Sequence, residues 1–169
     1  MKQLIGIEGG AVIVENLEKL HGLWIAEFLE GDPWYNDCGR RMNRVLHMVE
    51  RENLITTVGK QLVLDRMFGL SGVIAIAGTA VGTSATAAAV GDTAITGAVY
   101  KAFAATPTRT ALAVTALTSY LTSEANINIQ EAGLLTASGG ILFNRVAPFA
   151  SFTKTTSFAL DLTTVITQS

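Results

Sequence analysis

The sequence predicts a mainly β protein, an antiparallel β-sandwich with one short α-helix and an N-terminal extension or hairpin. Three observations predict it. From Gly91 onward, runs rich in Val, Ile, Thr, Leu and Phe alternate with Gly, Pro and Ser turn signals, the pattern of evenly spaced strands. One stretch alone carries apolar residues at helical spacing. No strand–helix–strand alternation occurs, which disfavours nucleotide-binding folds.

Taken in order, His21 to Glu30 is rich in aromatic and branched side chains and reads as a strand, closed by Gly31-Asp32-Pro33. A second strand is expected from Arg44 to Ile55, with Val45, His47 and Val49 on one face. The loop between them carries Trp34, Tyr35, Cys38, Arg40 and Arg41 at the tip of a long hairpin. Trp34 and Tyr35 either protrude as an interface or fold back onto the sheet. A helix is predicted at about 57–68: Thr56 or Thr57 caps it, Val58/Leu62, Val63/Met67 and Leu64/Phe68 fall at i,i+4, and Gly69 ends it. Residues 69–91 carry no charge but are mostly Gly, Ala, Ser and Thr, which favours a short strand and a small-residue loop over a membrane span. Further strands are expected at 95–105, 108–121, 126–135, 141–146 and 155–166. In the last, Phe158, Leu160 and Leu162 point inward and Asp161 and Thr163 outward, and Gly139-Gly140 fits a tight hairpin.

Composition divides the chain near Asn53. Residues 1–52 hold 15 of the 26 charged residues, both Trp, both His and the single Cys. They read as an N-terminal extension or hairpin used for docking, and 53–169 as the sandwich body. Of the 169 residues, 49% are hydrophobic and only 15% charged, so an apolar surface must be covered by a core or by neighbours. With net charge −2 and no basic run longer than Arg40-Arg41, nucleic-acid binding is not expected. Glu8 interrupts the opening apolar run, so no cleaved signal peptide is expected.

Catalytic patterns are missing. Cys38 alone builds neither a disulfide nor a zinc cluster, and no phosphate-cradling glycine motif or nucleophile elbow occurs. His21 and His47 with Asp37 or Cys38 could approach a metal set only if the hairpin brought them together; strand-surface histidines are the simpler account. No enzyme activity and no cofactor are expected. Glu131 stands out, because alternation puts it on the apolar face with Ile127 and Ile129. It needs a cation, and Arg145 is the partner named: the pair either locks one subunit to another or closes within the chain, unless a bulge near Gly133 turns Glu131 outward.

Several stretches together resemble structural proteins of the tail, neck and fibre-attachment group of tailed bacteriophages. They are Asn53-Leu54-Ile55-Thr56-Thr57-Val58-Gly59-Lys60-Gln61-Leu62-Val63, then Ala77-Gly78-Thr79 with its strand and the turn Gly91-Asp92-Thr93-Ala94, then Glu131-Ala132-Gly133-Leu134 followed by Asn144-Arg145-Val146. Their order matches, and the resemblance covers about residues 53–167. It implies a virion protein with a β-sandwich body, made in the host cytoplasm, assembled as a homo-oligomeric ring and docked to other virion proteins. A receptor- or carbohydrate-binding module at a tail fibre is the alternative, with Trp24, Trp34 and Tyr35 as stacking platforms.

Overall fold

Eleven consecutive residues of β1 (Leu20–Glu30) pair antiparallel with β12 (Phe158–Gln168), from Leu20 opposite Gln168 to Glu30 opposite Phe158. That ladder is the spine of the fold. The computed structural model describes residues 20–168 apart from Pro33, Tyr35, Gly39, Ser71, Val73, Ala150 and Ser151. Residues 1–19 of the expected N-terminal extension lie outside the described residues.

The other elements are β2 (Val45–Glu52), β3 (Leu54–Ile55), α1 (Thr57–Met67), β4 (Gly78–Gly82), β5 (Val99–Ala102), β6 (Thr108–Thr110) and β7 (Ala113–Tyr120). After them come β8 (Asn128–Ile129), β9 (Glu131–Leu135), β10 (Leu142–Val146) and β11 (Phe152–Thr153). They form one five-stranded sheet in the order β2-β1-β12-β7-β6, a second in the order β3-β10-β9-β4-β5, and a small β8–β11 pair. All paired strands are antiparallel. Among the described residues, the mainly β sandwich with one short helix is therefore the architecture observed.

The core lies between the sheets. Trp24, Phe28, Tyr120, Leu160 and Leu162 of the first sheet meet Val81, Ala132, Leu134, Phe143 and Val146 of the second. Polar groups stitch the layers across this apolar contact. The buried Tyr120 hydroxyl donates to the Thr79 carbonyl at 2.9 Å, and Thr79 and Thr118 share a hydroxyl–hydroxyl bond of 2.9 Å. Each satisfies a group whose burial would otherwise carry a desolvation cost.

Helix α1 starts where the sequence places it. Thr56 caps it, its hydroxyl oxygen accepting from the Gly59 amide at 3.0 Å while the hydroxyl donates to the Leu142 carbonyl at 2.6 Å. Gly59 is obligatory by contact, since a Cβ there would sit 2.0 Å from the Phe143 carbonyl oxygen. The apolar i,i+4 pairs are only partly covered: Leu62 is buried, but Met67 and Phe68 face outward. The helix is anchored through its first half and leaves its last turn open.

Several expected strands are divided. The run 44–55 breaks at Asn53, whose amide donates to the Gly22 carbonyl at 3.0 Å as the chain crosses from one sheet to the other. The run 108–121 folds back at Ala111, with φ of 50°, into β6 and β7. The run 126–135 is cut at Gln130, whose amide donates to the Gly82 carbonyl. At Gln130 the main-chain partner lies on β4, the neighbour of β9, and at Asn53 on β1, the neighbour of β2; the chain changes strand partners at both points, and alternation along one segment cannot register that.

The compositional boundary at Asn53 does not coincide with a break in the fold. β1 sits between β2 and β12 and supplies Trp24 and Phe28 to the core, so the hairpin belongs to the sandwich. Deleting residues 1–52 is therefore expected to abolish cooperative unfolding in denaturant, and Trp24→Ala alone to cost about 3–5 kcal/mol. A truncated body that melts like the full chain would overturn this placement.

Candidate functional site

Three features outside the plain apolar core carry unusual chemistry. The first is the β1–β2 loop. Glu27 on β1 lies directly opposite Asp161 on β12, and like charges facing across a ladder repel. Arg41 resolves the conflict from above, donating through one nitrogen to Glu27 at 2.7 Å and to Asp161 at 2.9 Å. The bond to Glu27, together with that to Asp161, raises the Arg41 pKa against the opposing effect of burial. Asp161 keeps the expected face, opposite to Leu160 and Leu162, but is buried there under this guanidinium rather than solvated.

From that anchor the loop is built by asparagines, whose short amides satisfy turn backbones. Asn43 donates to the Glu30 and Asp32 carbonyls, each at 2.9 Å, and accepts from the Trp34 amide at 2.7 Å. Asn36 accepts from the amides of Cys38 at 3.1 Å and Arg40 at 2.8 Å. The Met42 amide donates to the Trp34 carbonyl at 3.1 Å. The result is a fastened protrusion on which the Trp34 side chain is 56% exposed and Arg40 is exposed.

The second feature is a buried ion cluster in the other sheet. Arg145 on β10 donates through Nε to Glu131 on β9 and through Nη1 to Asp92, each at 2.7 Å, and through Nη2 to the Thr86 carbonyl at 3.0 Å. Glu131 also accepts from the amides of Thr96 at 2.8 Å and Ser84 at 3.1 Å. Gly82 has no room for a Cβ beside that carboxylate, which would lie 2.7 Å away. Burial works against the charge on Arg145, but Asp92 and Glu131 outweigh it and hold its pKa above the ordinary arginine value. For Asp92 burial is likewise overcome, by the Ala89 amide and by Arg145, and its carboxyl is held below the usual range.

The third feature is apolar. Between the open last turn of α1 and the segment at 74–76 lies an open cavity of about 430 Å³ lined by Leu62, Val63, Met67, Ile74, Ile76 and Phe143, with Arg66 also on its wall. A second cavity of about 250 Å³, between Phe103, Val114, Leu134 and Ile166, shares Ile76 and Phe143 with it. The first of these is the α1 trough; the second adjoins it at Ile76 and Phe143. Met67 and Ile74 on the trough wall are each more than half exposed, as are Phe68 and Leu70, which follow Met67 in the chain.

The residues singled out from sequence are thus distributed. Trp24 is fully buried, edge-to-face with Phe149 at 6.1 Å, so it offers no stacking platform. Tyr35 lies outside the described residues. Trp34 and Arg40 are together on the loop, whereas Arg41 is committed to Glu27 and Asp161. Glu131 and Arg145 meet within the chain, so the intersubunit lock between them is corrected to an internal pair. Sequence reasoning missed Asp92 as the third member of that cluster and missed the trough; the outward Met67 and Phe68 were the available signal. Among the described residues, no three His, Cys, Asp or Glu side chains converge as metal ligands, and no helix is long and apolar enough to cross a membrane. No family model matches the chain, and comparison with curated proteins and with solved structures yields no match.

Arg145→Met strands Glu131 in the interior without its cation and is expected to cost about 3–5 kcal/mol in denaturant titrations. Because the folded-state pKa of Asp92 is depressed, its stabilising contribution is complete above about pH 4 and is lost as pH falls through the lower folded value. Asp92→Asn should accordingly flatten the acid limb of the stability–pH curve. An unchanged acid limb would show that the cluster is not coupled to folding.

Proposed function

We propose that this chain is a structural subunit of a tailed-bacteriophage virion, a component of a tail, neck or collar ring that assembles with its own copies and docks other virion proteins. It has no catalytic role in this reading. The observation that carries it is the apolar trough, whose lining residues Met67 and Ile74 stand in solvent, with Phe68 and Leu70 exposed just after Met67 in the chain. Contiguous apolar surface of this kind marks an interaction site and is a liability for a solitary molecule.

The resemblance on which the virion assignment rests is carried by segments that touch in space. Residues 53–63 become β3 and the start of α1 and pack on β10, the strand of Asn144-Arg145-Val146. β4 pairs with β9, the strand of Glu131-Ala132-Gly133-Leu134, and Asp92 reaches Arg145. One packed unit therefore holds all the matching motifs. Buried ionisable groups on the chain are spent on structure: Lys154, for example, donates to the Leu121 carbonyl at 2.8 Å and fastens the following loop.

A second reading, a receptor- or carbohydrate-binding module at a fibre, is favoured by one observation, the exposed Trp34 on a pre-fastened loop. Trp24 cannot join it.

Light scattering of the purified protein across a concentration series, with negative-stain images of each species, tests the assembly reading. Closed particles at an integral multiple of 17.8 kDa are expected. A strict monomer at every concentration overturns self-assembly and moves the Trp34 reading forward.

A further inference from the structure

We propose that the apolar run Ala11-Val12-Ile13-Val14 of this chain turns back from Leu20 and closes the mouth between its own two sheets. The contact lies within one chain and goes beyond the assembly reading without resting on it, since it leaves the α1 trough free for a partner.

The mouth is the cavity of about 250 Å³ that adjoins the trough at Ile76 and Phe143. Its walls come from the inner faces of both layers, with Thr164 and Ile166 of β12 and Val114 of β7 on one side and Leu134 of β9 and Phe143 of β10 on the other. Among the described residues, none that lines it is charged, so it takes an apolar occupant. It opens toward one end of the first sheet. Thr164 is buried, Ile166 is half-buried, its ladder partner Val114 is 39% exposed, and Leu112, whose carbonyl accepts the Gln168 amide, stands in solvent.

The chain enters the sandwich at this same end. Gly22 is the ladder partner of Ile166 and Leu20 that of Gln168, so Leu20 and Ile166 are diagonal neighbours on one face, about 7 Å apart. Both are half-buried and pack on the core. The segment before Leu20 therefore leaves the sheet at the lip of the mouth. Val14 lies six residues earlier, a reach of up to about 20 Å, which is ample for a turn back over the lip. Residues 11–14 carry no charge, whereas Glu15, Glu18 and Lys19 lie in the connection, where they remain in water. The tether also decides whose segment enters. So short a connection holds residues 11–14 near the mouth at a roughly millimolar effective concentration, well above that of a second copy in dilute solution.

The test uses the full chain with Cys38→Ser, which removes its single thiol, and Val114→Cys in the mouth combined in turn with Val12→Cys, Ile13→Cys or Val14→Cys. Under mild oxidation of dilute protein, at least one pair is expected to close an intrachain disulfide, read as a loss of about 2 Da in intact mass and faster migration on a non-reducing gel. Thr115 lies one residue along β7 and faces the other side of the sheet. The same N-terminal cysteines paired with Thr115→Cys are expected to close roughly tenfold more slowly or not at all, because the two Cβ atoms must approach within about 4.5 Å. Equal rates with Val114→Cys and Thr115→Cys, or no bond with either, overturn the contact. A disulfide-linked dimer in place of the intrachain bond puts a neighbour's segment in the mouth and overturns it as well, while leaving self-assembly standing. A second measurement needs no cysteines: Val12→Asp with Ile13→Asp, in the otherwise unaltered chain, is expected to lower Tm by about 4 °C or more, because a carboxylate cannot follow the run into an apolar mouth. An unchanged Tm overturns the contact.

Discussion

One guanidinium organises the open side of the second sheet. Arg145 stands on the inner strand β10, and every group it binds comes from a different part of the chain: Glu131 on β9, Asp92 in the turn before β5, and the Thr86 carbonyl in the small-residue loop after β4. Residues 83–97 have little apolar side-chain mass with which to pack. Ile95 packs them against Ala80, Leu135 and Leu142, and hydrogen bonds to this charge and to the Glu131 carboxylate fasten the rest. Two carboxylates around one cation would leave an excess negative charge, and the amides of Ser84, Thr96 and Ala89 offset it with partial positive charge. A buried cluster of this sort contributes uniqueness of arrangement more than net stability, because a mispaired loop would leave an ion without compensation.

The first sheet shows the same logic in a milder form. Glu27 and Asp161 face each other across the β1–β12 ladder and would repel without Arg41. Since Arg41 belongs to the β1–β2 loop, the electrostatic balance of the ladder and the shape of the protrusion are one problem with one solution. Trp34 is held outward by a loop whose root is clamped to the middle of the sheet. The exposed indole is thus a consequence of how the ladder is neutralised.

How much of this was legible depended on whether the signal was local. The cap at Thr56, the stop at Gly69 and the strand around Leu160 and Leu162 all follow from short-range chemistry and were readable. Glu131 was readable as a residue in need of a cation, because its neighbours in the strand are apolar. Whether that cation lay in the same subunit was not readable, since sequence spacing carries no distance. That residues 20–52 also supply the core was not readable, because charge counts report composition, whereas burial is decided by which strand lies beside β1. Here β12 covers one edge of it and β2 the other, so a segment rich in charge holds the largest buried aromatic of the core, Trp24. The outward last turn of α1 escaped notice because i,i+4 spacing says which residues share a face, not whether anything lies against it.

The register of β1 and β12 also decides how the subunit would respond to pulling. Leu20 and Gln168 are direct partners, so tension applied through those two residues would load the ladder one bond at a time from that end, like a zipper. Force delivered through the broad faces, or along opposite ends of neighbouring strands, would load the same bonds in parallel. A particle built from this sandwich therefore keeps its mechanical strength only if its neighbours grip it by its flanks and tips and leave the paired strand ends slack.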